Sequence, residues 1–331
     1  MSSKAPANGT GMLAGGAAGA PASPPAAADP VARIDAGREM ARLRARIVRW
    51  LDAVDEELRP PLRSAFGGKP KSFRPLTVFA AHRSVSDEPV SDTTISRAFA
   101  VELAHNMSLI VDDILDESEL RRGIATVQSG YGRLPALMAS GYLIADAFEE
   151  LREDPFGSHY IAELLRRLAS AECLQWRLRR RPLGTEDWRY IAGEDTGSMF
   201  EVCAVLGGGS ERLRAFGHLL GVLYHGCDDV GDQRGLEALG GGGEEDVRDG
   251  ILTLPAALAI RDRATRELFL RDDHDPRRLE VLARACVAQV DEAEEVLDTI
   301  AQEARAEAMV AAEDPAPLLV LVDEVRQLSR R

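Results

Sequence analysis

The sequence predicts an all-α protein, a single-domain bundle of about ten helices around a central cavity. Three observations carry that prediction. Apolar residues recur at helical spacing along most of the chain, and no stretch sustains the alternation of a strand. Hydrophobic residues make up 45% of the 331 residues but aromatics only 5%, with Ala and Leu dominant, which favours helix over sheet. Two acidic stretches of identical spacing each end an apolar helical run, 116 positions apart, as two facing halves of one bundle would place them.

Residues 1–30 hold Ala, Gly, Pro and Ser with almost no large apolar side chain. Such a segment cannot bury enough surface to offset its ordering entropy, so a disordered tail is expected, with one domain over 31–331. A helical pattern runs from Ile34 to Leu58 and stops at Pro60-Pro61. Gly67-Gly68 opens a loop to Pro75, and a helix follows to about Ser84. The next helix starts near Ser91 and reaches Asp116. Further helices are expected over Leu134–Leu151, Ser158–Arg180, Thr185–Leu206, Ser210–Asp232, Ile251–Phe269, Pro276–Ala312 and Pro315–Ser329. The Gly240–Gly243 run reads as a flexible loop, and with no strand before it, it fits no phosphate-cradling fingerprint.

The formal net charge of −14 argues against nucleic acid or an anionic membrane surface as the main partner. It leaves anionic substrates open, because a bound metal inverts the local field. No apolar run reaches the length of a membrane span, and the N-terminus has no basic segment leading into an apolar one. Cys173, Cys203, Cys227 and Cys286 are scattered without a Cys-x-x-Cys pair, which suggests neither zinc nor a disulfide framework. A cytoplasmic protein is the expectation.

The first acidic stretch is His105-Asn106-Met107-Ser108-Leu109-Ile110-Val111-Asp112-Asp113-Ile114-Leu115-Asp116, followed by Arg121-Arg122-Gly123. On a helix Asp112 and Asp116 are i,i+4 neighbours, and Asp113 and Asp116 are i,i+3 neighbours. Three carboxylates crowded at one helix end repel unless a hard cation neutralises them. Mg²⁺ prefers such oxygens and completes its shell with substrate phosphates. Arg121 and Arg122 add permanent planar donors for phosphate oxygens. The second stretch, Tyr224-His225-Gly226-Cys227-Asp228-Asp229-Val230-Gly231-Asp232, repeats the Asp-Asp-x-x-Asp spacing. Together they read as a metal–diphosphate site.

These motifs resemble the trans-type polyprenyl diphosphate synthases, from about Ile34 to the C-terminus. The resemblance implies the isoprenoid synthase fold, Mg²⁺ as cofactor with three ions per site, and isopentenyl diphosphate plus an allylic diphosphate as substrates. It implies Asp112, Asp116 and Asp228 as direct metal ligands, with Asp113, Asp229 and Asp232 supporting. Gly67-Gly68-Lys69-Pro70-Lys71-Ser72-Phe73-Arg74-Pro75 looks like the family's Gly-Gly-Lys-x-x-Arg-Pro stretch with two extra residues, so Lys71 and Arg74 are expected on isopentenyl diphosphate. His105, two helical turns before Asp112, joins them by the same resemblance. Arg121 is implied at the allylic diphosphate and Arg122 at the isopentenyl one. Met107 and Ser108, the fifth and fourth residues before the motif, are implied as the floor that limits chain length. A flexible Met and a small Ser predict a C20 product, of geranylgeranyl type.

The departures fall in the allylic half. Where the family has Gly-Gln-x-x-Asp and then Lys-Thr, this chain has Ala171-Glu172-Cys173-Leu174-Gln175 and then Asp195-Thr196. A Phe-Gln pair is Tyr224-His225, and the lysine of Gly-Lys-x-Thr-Leu-Pro is Ile251. Thr196 and His225 keep substrate-binding positions, while Asp195 and Ile251 remove cations. The reading is a head-to-tail prenyltransferase, a homodimer or one subunit beside an active partner. The alternatives are a terpene cyclase or diphosphate lyase on the same scaffold, and a non-catalytic regulatory subunit.

Overall fold

The computed structural model describes residues 29–68, 72–121, 123–235 and 243–330, with backbone alone at 243–245. The expected tail lies outside the described residues up to 28. The first helix, α1 (Pro30–Arg33), starts at Pro30, with the Asp29 carboxylate accepting the Val31 N–H at 3.1 Å.

The described chain is helical throughout apart from one ribbon. The expected Ile34–Leu58 run is divided into α2 (Gly37–Ala53) and α3 (Arg59–Ala65), because Val54 turns extended and Pro60-Pro61 must begin a helix rather than continue one. Helix α4 (Phe73–Val85) is buried on most sides. Helix α5 (Asp92–Leu115) is capped by Ser91, whose hydroxyl accepts the Thr94 N–H at 3.1 Å. A two-stranded ribbon follows, β1 (Leu120–Arg121) and β2 (Ile124–Ala125), turning at Gly123 with φ 74°. It is too short for any alternation to announce it.

Then come α6 (Val127–Tyr131), α7 (Arg133–Glu150) and α8 (Pro155–Leu178). The predicted Thr185–Leu206 helix is α9 (Thr185–Ala192) and α10 (Ser198–Gly208), joined by one π-helical turn, Gly193–Gly197. Helix α11 (Arg214–Gln233) carries the second acidic motif. The chain continues through α12 (Gly243–Asp249), α13 (Leu254–Ala259), α14 (Arg263–Phe269), α15 (Pro276–Val287), α16 (Val290–Ala311) and α17 (Ala316–Arg326). Gly243, expected in the loop, starts α12, and Gly240–Gly242 lie outside the described residues.

Helix α10 is the axis of the packing. Every residue from Ser198 to Gly207 is buried. It lies between α4 and α11, and glycines make both crossings close. A Cβ on Gly207 would fall 2.1 Å from the Val78 carbonyl oxygen on α4. One on Gly217 of α11 would fall 2.6 Å from the Phe200 carbonyl oxygen. Helix α5 packs on α7, and α11 packs on α16. Among the described residues no helix is long and apolar enough to cross a membrane.

Candidate active site

Helices α5 and α11 end their apolar runs at one cavity of about 350 Å³. All six motif aspartates, Asp112, Asp113, Asp116, Asp228, Asp229 and Asp232, line it, so the structure brings both motifs together. Arg74, His105, Ser108, Arg121, Thr196 and His225 also line it. Lys71 and Arg122 lie outside the described residues. Met107 is half-buried and packs against the hydrophobic core, whereas its neighbour Ser108 is on the cavity wall. A second hollow, of about 370 Å³ and lined by Arg46, Trp50, Asp146 and Glu150 among others, holds none of the motif residues.

The second aspartate of each motif is tied to the protein. Asp113 Oδ1 accepts the Arg121 Nε–H at 2.8 Å. Asp229 Oδ2 accepts the Trp188 indole N–H and the Leu254 N–H, both at 2.8 Å. The remaining charge is poorly balanced. Burial raises the Asp112 carboxyl well above its usual range, and Asp195, Glu172 and Asp116 push it further, against Arg121. Burial also raises Asp116, which Arg179 and Arg121 counter. Asp246, before the Gly250–Pro255 frame, is raised well above its usual range by burial and by Asp229, Asp232 and Asp116.

This donor set fits Mg²⁺. Among the described residues no three of these groups already form a closed cage for one ion. An ion that keeps waters and takes phosphate oxygens needs no such cage. The carboxylates face one cavity, repel one another and offer only oxygen, which is the environment a hard cation relieves.

Arg74, at the start of α4, reaches the cavity wall. Its guanidinium carbon lies 5.5 Å from the Phe200 ring centroid and 5.9 Å from that of Tyr224. Its Nε is buried with no protein hydrogen-bond partner. Nearby, burial raises the Glu102 carboxyl to about 7 in spite of Arg74.

Around Asp195 the structure departs from the sequence expectation of a simple loss of cations. The π turn carries Asp195 and Thr196 to the wall, where Thr196 Oγ1 lies 3.1 Å from Asp195 Oδ2 and 3.0 Å from His225 Nδ1. His225 Nδ1 is 3.5 Å from Asp195 Oδ2, and its Nε2 is 3.8 Å from Asp229 Oδ1. Against burial, those carboxylates raise the imidazole to about 9. Asp195 opens on the cavity but is enclosed by protein; burial would raise its carboxyl, and the hydrogen bond from His225 holds it below its ordinary value. Position 195 therefore carries a carboxylate paired with the His225 imidazole rather than an isolated negative charge.

Three contributors have no place in the sequence reading. Arg179 lies 3.5 Å from Asp116. Trp188 fixes Asp229 from 41 residues upstream. Asp246 sits four residues before Gly250, and that offset from a recognised frame was the one signal that could have found it.

Comparison with known proteins agrees with the geometry. The family model described as polyprenyl synthetase matches residues 55–290. Geranylgeranyl pyrophosphate synthase 4 of Arabidopsis thaliana is 32% identical over 213 residues, 57% of each chain. The match therefore spans a little over half of that relative's length. Nonaprenyl diphosphate synthase of Mycobacterium tuberculosis is 29% identical over 88% of this chain and 96% of its own. A polyprenyl synthase from Caulobacter crescentus, solved with calcium and isoprenyl diphosphate, superposes with a TM-score of 0.81 at 26% identity, covering 91% of this chain and 98% of that one. With the isoprenoid synthase fold, both motifs on one cavity and a family match over most of its length, this chain belongs to the polyprenyl synthetase family.

Proposed function

We propose that the protein is a Mg²⁺-dependent prenyl diphosphate synthase that joins isopentenyl diphosphate head-to-tail to an allylic diphosphate. The observation that carries this reading is one cavity lined both by the six motif aspartates and by Arg74, whose Nε is buried without a protein hydrogen-bond partner. Two anionic groups need two cationic sites, and the cavity has one of each kind: carboxylates that gather metal and an arginine that binds phosphate directly.

Asp112, Asp116 and Asp228 are the residues that would hold Mg²⁺, with Asp113, Asp229 and Asp232 supporting them. The bound metal would supply charge stabilisation for the leaving diphosphate. The chain's own groups do the rest. Arg121, His225 and Thr196 orient the allylic diphosphate, and Lys71, Arg74, His105 and Arg122 hold the isopentenyl one. The allylic C1–oxygen bond breaks and the diphosphate takes that electron pair. The isopentenyl double bond supplies electrons for the new carbon–carbon bond, and a proton is lost from the adjacent carbon to the departed diphosphate. No side-chain base is required.

Chain length is read as C20, since Ser108 is small and faces the cavity. Helix α7 leaves Leu134, Leu137 and Met138 exposed, which suits a second copy of this chain and a homodimer. A cytoplasmic location and a single domain after an N-terminal tail complete the reading.

The test is purified protein with Mg²⁺, isopentenyl diphosphate and each of the C5, C10, C15 and C20 allylic diphosphates, with extracts analysed before and after phosphatase. A C20 alcohol appearing only after phosphatase supports the reading. Consumption of a C15 or C20 diphosphate without isopentenyl diphosphate replaces it with a cyclase.

A further inference from the structure

One guanidinium beside the metal-binding carboxylates belongs to neither acidic motif. Helix α8 ends at Leu178, and the chain leaves it at Arg179 with φ −51° and ψ 137°. Arg180 follows at φ 55°, in the left-handed region that a side-chain-bearing residue enters only at an energetic cost. Its contacts hold that turn. The Arg180 N–H donates to the Gly250 carbonyl at 2.9 Å, and its guanidinium donates to the carbonyls of Arg248 at 2.8 Å and Asp249 at 3.1 Å. Gly250 has no room for a side chain there, since a Cβ would fall 2.4 Å from Arg180 Cγ. A strained turn is thus pinned to the segment that leads into Ile251.

The consequence is the direction of Arg179. Its Nη2 lies 3.5 Å from Asp116 Oδ1, and its guanidinium carbon lies 4.0 Å from the Trp176 ring centroid. The side chain is 16% exposed, and Nε is buried with no protein hydrogen-bond partner. Stacking on an aromatic face leaves the in-plane N–H groups available to an acceptor. One long contact to one carboxylate oxygen uses little of that capacity.

We propose that Arg179 is a diphosphate-binding cation of the allylic subsite, beside the Asp116 carboxylate. The substrate class rests on the prenyl synthase reading above, but binding can be tested without turnover. Asp116 is one of the carboxylates assigned to metal, so a metal–diphosphate group held there lies within reach of the adjacent guanidinium. The planar fork suits two phosphate oxygens, which a lysine in the same place would engage as a point charge.

The experiment uses the full chain with inorganic pyrophosphate, with and without Mg²⁺, followed by calorimetry and thermal unfolding, then steady-state kinetics. Arg179→Gln should weaken Mg²⁺-dependent pyrophosphate binding roughly tenfold or more, with Arg179→Lys recovering part of the loss. It should raise KM for the allylic substrate by a similar factor and leave KM for isopentenyl diphosphate within about twofold. Pyrophosphate binding unchanged in Arg179→Gln overturns the proposal, whether or not the unliganded protein melts lower. So does an equal rise in both KM values. If the wild type forms no condensation product while Arg179→Gln still weakens pyrophosphate binding, the synthase reading fails and the Arg179 site stands.

Discussion

The two acidic motifs share a spacing but are anchored by different chemistry. On α5, guanidinium groups answer the carboxylates: Arg121 bonds Asp113 and Arg179 approaches Asp116. On α11, Asp229 is held by neutral donors, the Trp188 indole and the first amide of α13, with His225 at one side. The first motif is balanced by guanidinium charges and the second by neutral donors fixed in the scaffold, with the His225 imidazole beside them. An equal spacing of residues therefore does not make two equal sites.

The largest effect expected is on turnover. Asp112→Asn and Asp228→Asn should each lower it by several orders of magnitude, and EDTA should do the same. The motifs part company in the unliganded protein. Asp112→Asn removes repulsion from Asp195, Glu172 and Asp116, so its melting temperature without Mg²⁺ should stay level or rise. Wild-type activity in either variant would end the metal-site assignment for both motifs.

Next in size is a split in substrate affinity. His225→Gln removes the cation that Asp195 and Asp229 support, and should raise KM for the allylic diphosphate roughly tenfold with little effect on isopentenyl diphosphate. Arg74→Met should do the reverse. The same change in both constants from either variant would mean that the cavity does not have two separate ends.

Stability sharpens the contrast in anchoring. Asp229→Ala leaves two buried N–H donors, the Trp188 indole and the Leu254 amide, without their shared acceptor and should cost about 1–3 kcal/mol in denaturant unfolding. Asp113→Ala frees a half-exposed arginine that water can solvate and should cost less. Equal losses would erase the distinction drawn here.

The smallest effect is a pH slope. Burial holds the Glu102 carboxyl near 7 in the folded protein against an ordinary value of 4.5. The folded state then binds more protons than the unfolded state between those values. Glu102 therefore contributes a loss of stability as pH rises from 4.5 through 7, with no further change above. Glu102→Gln should remove that part of the slope, seen as a smaller drop in melting temperature between pH 5 and pH 8.

Much of this site was legible in the sequence because its parts are local. Asp112 and Asp116, or Asp228 and Asp232, stand one turn apart, and helical periodicity alone sets them on one face. The all-α class followed from the same periodicity. The breaks within helices were less visible: Val54, Ile260 and Ala288 each end a helix inside an apolar pattern that continues across them. The ion pair of Asp195 and His225 joins residues 30 positions apart, so a carboxylate that read only as a lost cation is one half of a pair. Arg179 sits at a helix end with no motif around it. The π turn leaves no mark either, since an extra residue in a helix alters no composition and only shifts a period already blurred by Gly193 and Gly197.

That turn behaves as a one-residue shim. In an α-helix one residue is about 100° of rotation, so the shim decides which side chains the joined helices present. The fit around it has no slack: a Cβ on Gly221 would stand 2.5 Å from the Thr196 carbonyl oxygen, and one on Gly193 2.7 Å from the His218 ring. On one side of it Glu194 is gripped by Arg167 through two bonds of 3.1 Å, and on the other Asp195 and Thr196 meet His225. Deleting a single glycine here would leave every binding residue in the chain and swing Asp195 and Thr196 out of line. Such a lineage would keep the complete inventory of a working enzyme while losing its aim, and only the length of the segment would record the difference.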